Sequence, residues 1–154
     1  TVQIDLNLPE RLGCNYINRE GEKKIPVLIH RALFGSLERF IGILIEHYAG
    51  RLPLWLSPVN VAVLTINEKC DKYATDLYGK LLKEGITCKL DLRNEKIGYK
   101  IREHSSTKIP LIFVIGEKEV ETNSIALRRL GSKDIETSTI NEIINFIKNE
   151  KNKF

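Results

Sequence analysis

At 154 residues, with 42% hydrophobic and 29% charged side chains, the chain has room for one ordinary globular domain, or for a small domain plus a piece of another. A formal charge of +4, from 24 Lys and Arg against 20 Asp and Glu, permits nucleic-acid binding without requiring it. No run of about twenty apolar residues could span a bilayer, and the odd, scattered Cys14, Cys70 and Cys88 fit reduced thiols in a cytoplasmic protein rather than a paired-cysteine zinc site.

Val2, Ile4 and Leu6 alternate with Gln3 and Asp5 and predict a strand with two distinct faces. The chain has no Met and its first residues are already strand-like, so it reads as a fragment without a secretory signal. Residues 11–17 form a second extended piece, with Cys14 a small buried hydrophobe, and residues 18–21 turn a hairpin towards the apolar strand 25–29. His30 ends that strand. Gly35 and Ser36 then turn the chain and cap a helix whose Leu37, Phe40, Ile41, Leu44 and Ile45 make one apolar face, with Glu38, Arg39 and Glu46 off it. By itself a lone His here reads as a satisfied core or rim histidine, and an Arg in a first helical turn as a place to meet an anionic or planar ligand. Three strands and one helix cannot bury both of their faces, so this unit needs the rest of a sheet.

Gly50, Pro53 and Pro58 punctuate a boundary that contains the single Trp, Trp55. From there strands and helices alternate: strand 59–66, helix 68–84, strand 86–90, helix 95–104 and strand 109–115. Extended segments near 124–130 and 133–138 follow, then a last helix at 139–148. Gly85 closes the first of these helices, and Thr139 with Glu142 makes a capping box on the last. The polar tail 148–154 is expected to fray. The pattern predicts an α/β fold: a mixed, mostly parallel five-stranded sheet flanked by three helices, preceded by an antiparallel strand-plus-helix remnant. On local chemistry Asn94 is an N-cap for the helix 95–104, and Lys96, Lys100 and Arg102 project away from its Ile97 and Ile101 stripe.

Longer segments carry more specific information. HRALFGSLERFIGILIEHYAG resembles the third signature motif of class II aminoacyl-tRNA synthetases in the form found in threonyl-tRNA synthetases. TVQIDLNLPERLGCNYIN resembles the active-site strands before that motif. WLSPVNVAVLTI, LDLRNEKIGYKIREHSSTKIP and GEKEVETNSIALRRLGSKD resemble that family's anticodon-binding domain, in the same order. The resemblance implies a catalytic-domain end at 1–50, a linker at 51–58 and an anticodon-binding domain at 59–154.

Through the resemblance, His30 matches one of three ligands of a zinc ion that binds the threonine amino and hydroxyl groups, the other two lying upstream of this chain. Arg39 matches the residue that stacks on the adenine of ATP, and Thr1 and Gln3 match residues lining the aminoacylation pocket. The resemblance makes Arg39 and Gln3 the catalytic candidates and counts Ser36 with Arg39, Gln3 and Thr1 in the ATP and threonine pocket, while Ser36 and Glu38 cap and orient the elbow. Asn94, Arg102, Glu119 and Arg128 match positions facing the anticodon bases, whereas Arg129 and Lys118 read as phosphate contacts or solvated charges. The implied parent enzyme is a homodimer that activates L-threonine with ATP and Mg2+ and transfers it to its tRNA. This chain alone is expected to be inactive and monomeric or weakly associated. A second reading is a non-catalytic accessory or regulatory tRNA- or RNA-binding module that carries the same domain; a third, a nucleotide-binding α/β domain of another kind, is disfavoured by the segments that resemble the anticodon-binding domain.

Overall fold

The structure, a computed structural model, describes residues 1–152. The chain divides into two compact units, Thr1–Glu46 and His47–Phe154.

In the first unit β1 (Val2–Asp5) pairs antiparallel with β4 (Leu28–Arg31), and β2 (Tyr16–Ile17) with β3 (Lys23–Lys24) makes the expected hairpin. Asn18 closes its turn by accepting the Glu20 and Glu22 N–H groups on Oδ1 at 3.1 and 2.8 Å. A short α1 (Leu8–Arg11), absent from the sequence reading, starts where Asp5 Oδ1 accepts the Asn7 and Leu8 N–H groups, both at 2.9 Å. The strand carrying His30 is displaced by a few residues from the expected 25–29, so that His30 lies inside β4 rather than at its end. α2 (Leu37–His47) follows Gly35, whose φ of +72° suits a residue without Cβ. Its apolar residues are exposed or half-buried, and Pro9 is the single buried residue in this unit among the described residues. Cys14 is exposed, contrary to the expected burial, because no core is assembled around it here.

The second unit contains a five-stranded mixed sheet in the order β6-β5-β7-β8-β9. β5 (Val61–Thr65) runs parallel to β6 (Cys88–Asp91) and β7 (Leu111–Ile115), while β8 (Ser124–Arg129) and β9 (Ile135–Thr139) add antiparallel ladders. Parallel pairing is thus confined to the first three strands. The chain runs from β5 out to β6 and then back past β5 to β7. With right-handed crossovers, this reversal puts α3 (Asp71–Lys83) and α4 (Ile97–Ser106) on opposite faces.

The larger core lies on the α3 side. Val61, Val63, Phe113, Ile115, Ile125 and Leu127 of the strands meet Ala74, Leu77 and Leu81 of α3 and Ile140, Ile143 and Ile147 of α6 (Ile140–Lys151). The smaller cluster joins Ala62, Leu64, Ile109 and Ile112 to Ile97 and Ile101 of α4.

The capping box of α6 forms as expected: Thr139 N–H donates to Glu142 Oε2 at 2.9 Å and Glu142 N–H to Thr139 Oγ1 at 3.4 Å. α6 continues to Lys151, past the expected end at 148; of the tail expected to fray, residues 153 and 154 lie outside the described residues. α3 starts after a 3-10 turn at Glu68–Cys70 and ends at Lys83, and Gly85, φ +72°, closes it, with Ile86 N–H bonded to Leu81 O at 3.0 Å. A further short helix, α5 (Glu117–Thr122), fills the connection from β7 to β8. Residues 51–58 belong to this unit: Leu54 packs on the larger core, and buried Asn60 donates Nδ2 to Leu54 O at 2.7 Å.

Candidate functional site

In the first unit, the β1–β4 register puts Gln3 opposite His30, and opposed residues of a ladder share one face. Thr1, two residues from Gln3, lies on that face as well; its N–H donates to Ala32 O at 2.9 Å and its carbonyl accepts the Ala32 N–H at 3.0 Å. Pairing therefore brings together Thr1, Gln3 and His30. Ser36 Oγ accepts the Arg39 N–H at 3.2 Å and Ser36 O accepts the Phe40 N–H at 3.1 Å, which makes Ser36 the N-cap and puts Arg39 in the first turn. Phe40 stacks on Phe34 with ring centroids 4.4 Å apart. No three His, Cys, Asp or Glu side chains gather to hold a metal among the described residues. His30 therefore offers one exposed imidazole, and these residues by themselves do not fit a zinc centre.

In the second unit, the loops leaving the carboxyl ends of the parallel strands converge. Ile66, Asn67, Glu68 and Lys69 follow β5, Asn94 follows β6 and Glu117 follows β7, and together they line a crevice of about 350 Å³. Such a crevice arises where the strand order reverses, because the loops of neighbouring strands depart to opposite faces. Asn67 Nδ2 donates to Glu117 Oε1 at 3.2 Å, and Lys69 Nζ lies 3.3 Å from the same oxygen. Asn67, Lys69 and Glu117 were not singled out by the sequence reading. Their positions two to four residues beyond strand ends were the signal available.

Asn94 does not cap α4. The N-cap position belongs to Lys96, which makes no side-chain cap bond, and Asn94 sits two residues earlier in the connecting loop. Arg93 and Asp91 have taken over the turn, with the Arg93 N–H donating to Asp91 Oδ1 at 3.2 Å. The Asn94 side chain is thereby left for the crevice.

Glu119 lies in α5, where its Oε2 accepts the Gly116 N–H at 3.0 Å; its Oε1 has no hydrogen bond among the described residues. Arg128 alternates with Ile125 and Leu127 along β8 and so projects to the opposite face, the one covered by α4. Glu103 marks the flank of α4 towards β6, through its bond to Arg93 at 3.1 Å; Arg102 is exposed and projects outward from the helix, away from the Ile97, Lys100, Ile101 and His104 face that meets the sheet. Arg102 and Arg128 thus share one side of the sheet. The side chains of Asn94, Arg102 and Arg128 have no hydrogen-bond or ion-pair partner among the described residues. Neighbouring cations contrast with them: Arg129 is paired with Glu136 at 3.1 Å through both Nε and Nη2 and lies 4.6 Å over the Phe146 ring. It is not the free phosphate contact or solvated charge expected from the sequence.

Comparison with known proteins agrees with this division. Residues 60–150 match the family model "Anticodon binding domain", and residues 1–48 match "tRNA synthetase class II core domain (G, H, P, S and T)". The threonine–tRNA ligase of Bartonella quintana (strain Toulouse) is 53% identical over 150 residues, covering 97% of this chain and 23% of the relative. That of Brucella abortus (strain S19) is 54% identical over 144 residues, covering 94% and 22%. The chain therefore spans about a quarter of the length of such relatives. Among solved structures, the RNA binding domain of threonyl-tRNA synthetase from Cryptosporidium parvum Iowa II superposes with a TM-score of 0.78 at 33% identity, covering 97% of this chain and 38% of that one. Prolyl-tRNA synthetase from Cryptosporidium parvum, at 20% identity and a TM-score of 0.71 over 95% of this chain and 32% of that one, shares the fold. With the five-stranded sheet, its convergent loops and these matches together, the chain belongs to the anticodon-binding-domain family and corresponds to the C-terminal portion of threonyl-tRNA synthetases, the end of the class II core followed by the anticodon-binding domain.

Proposed function

We propose that the second unit reads the anticodon loop of threonine tRNA, and that the first unit contributes to the aminoacylation pocket of a cytoplasmic threonine–tRNA ligase. The observation that carries the first half is the contrast among polar side chains: Asn94, Arg102 and Arg128 are unengaged among the described residues, whereas Arg93 and Arg129 are tied in ion pairs. Anticodon bases are presented unstacked, so their edges can be met by side chains held on a rigid sheet. The middle and third anticodon letters of a threonine tRNA are G and U. Arg128 donates to acceptors of the G, Glu119 accepts from its N–H groups through the oxygen that Gly116 does not occupy, and Asn94 and Arg102 meet the neighbouring bases.

In the first unit, Arg39, placed by the Ser36 cap, stacks its guanidinium on the adenine of ATP, which binds with Mg2+. Thr1 and Gln3 line the pocket for L-threonine on the face shared with His30. His30 would supply one imidazole to a zinc site whose other ligands are not among the described residues. Residues 1–50 act as the end of the catalytic domain and 59–154 as the anticodon-binding domain, with 51–58 connecting them.

The test is a pair of binding titrations against anticodon stem-loops that differ only in a central G or A. Losing a good base contact costs about 1–3 kcal/mol and relaxes specificity at that base, whereas losing a phosphate contact weakens all loops alike. Arg128→Ala is expected to lose most of the preference for G, while Lys118→Ala weakens both loops equally. An equal loss of affinity for both loops in Arg128→Ala would reassign Arg128 to the phosphate backbone.

A further inference from the structure

Lys100 and Asp91 take no part in the reading just described, yet among the described residues they are the most deeply placed charges of the second unit. Lys100 is 1% exposed. Its Nζ donates to Thr65 O at 2.9 Å and Asp91 O at 3.2 Å, and stands 3.9 Å from Asp91 Oδ1. The Asp91 carboxylate, 4% exposed, is filled on both oxygens. Oδ1 accepts the Arg93 N–H and Nε at 3.2 and 2.9 Å; Oδ2 accepts Arg93 Nη2 at 2.6 Å and lies 2.9 Å from His104 Nε2. Taking charges out of water is costly, and apolar side chains of similar volume often serve stability as well or better. What such a cluster does supply is position.

The positions it holds are specific. Thr65 is the last residue of β5 and Asp91 the last of β6, so one ammonium ties together the two strand ends from which the crevice walls depart. Residues 66–69 leave the first end and line the crevice; residues 92–96 leave the second and carry Asn94 into it. Arg93, the residue before Asn94, is anchored by three hydrogen bonds to Asp91 and one to Glu103. The loop is thus held from inside by Lys100 and from outside by Arg93.

We infer that Lys100, Asp91 and Arg93 are positioning residues for Asn94, setting discrimination at the anticodon base that Asn94 meets without touching the RNA themselves. This inference rests on the anticodon reading above. Arg128 stands on β8, two strands from β5 and beyond β7, and belongs to none of these contacts, so discrimination at the base it reads is left untouched.

The experiment takes the third letter, U, as the neighbour of the central G that Asn94 meets, and uses the full 154-residue chain with stem-loops varied either at that letter, U against C, or at the centre, G against A. Arg93→Gln leaves Lys100, Asp91 and His104 in place at a half-exposed site and is the variant that keeps the fold; Lys100→Met is its buried counterpart. In both, the third-letter preference is expected to shrink from about tenfold or more, the scale of a single base contact, to about twofold or less, while the central preference changes by less than about twofold. Added to Asn94→Ala, Arg93→Gln is expected to change neither preference further, which a general loss of stability could not produce. Should Lys100→Met fail to fold, Arg93→Gln and this double variant decide the matter. Parallel loss of both preferences, or no loss in Arg93→Gln, overturns the inference. An unsubstituted chain that prefers neither U nor G overturns the anticodon reading, and this inference with it; preferences in that chain that survive Arg93→Gln unchanged overturn the inference alone.

Discussion

Asp91 illustrates how one residue's surroundings determine its response to pH. The Arg93 guanidinium holds its carboxyl well below the usual carboxylate range; burial opposes this, and His104, the Arg93 N–H and Lys100 reinforce it. A carboxyl whose value is lower in the folded than in the unfolded chain contributes stability that is fully present above the unfolded value, about 4, and is lost as pH falls below it towards the folded value. The urea midpoint of the second unit is therefore expected to be level near neutral pH and to drop steeply below about pH 4. In Asp91→Asn the neutral-pH stability falls by about 3–5 kcal/mol, as for other broken buried pairs, and the acid limb flattens. Parallel acid limbs in the two proteins would show that other carboxylates, Glu136 and Glu142 among them, govern acid unfolding.

Two amphipathic helices with similar sequence patterns behave differently as elements. α6 buries Ile140, Ile143 and Ile147 against the sheet, whereas α2 presents Leu37, Ile41, Ile43 and Ile45 to solvent. Burial and not periodicity sets the energetic weight of a side chain. Ile147→Ala removes a side chain with no exposed surface and is expected to cost about 2–5 kcal/mol, cavity included. Ile41→Ala, at a residue 46% exposed, is expected to stay within about 0.5 kcal/mol. Urea denaturation followed by far-ultraviolet circular dichroism checks both; comparable losses would mean that the α2 face is covered in solution.

At the scale of the whole molecule, the first unit leaves its apolar surface open. Val2, Ile4, Ile29, Leu33, Phe34 and Leu37 are all more than 60% exposed, and the two-stranded β1–β4 sheet has unpaired edges among the described residues. Surfaces and edges of this kind associate readily but without a single geometry. Sedimentation velocity at rising concentration is expected to find mainly monomer, with weak, concentration-dependent association. A tight dimer that persists on dilution would contradict this and point to an interface formed by these residues.

The sequence by itself determined the α/β alternation of the second unit, the hairpin at 18–21, the elbow at Ser36 and the Thr139 cap, because each follows from local periodicity or from bonds spanning a few residues. It also carried the family resemblance, through long segments in the right order. It did not reveal that Asn94 is released from capping α4, that Glu119 spends one oxygen on Gly116, or that Arg129 is held by Glu136 and Phe146 while Arg128 next to it is free among the described residues. Nor did the spacing of Asp91, Lys100 and His104 announce a buried cluster. These are decided by which strand neighbours which and which face each side chain takes. Reversing the strand order at β5 brings three loops, far apart in the chain, to one crevice, and only the assembled sheet places the ammonium of Lys100 beneath two of its strand ends.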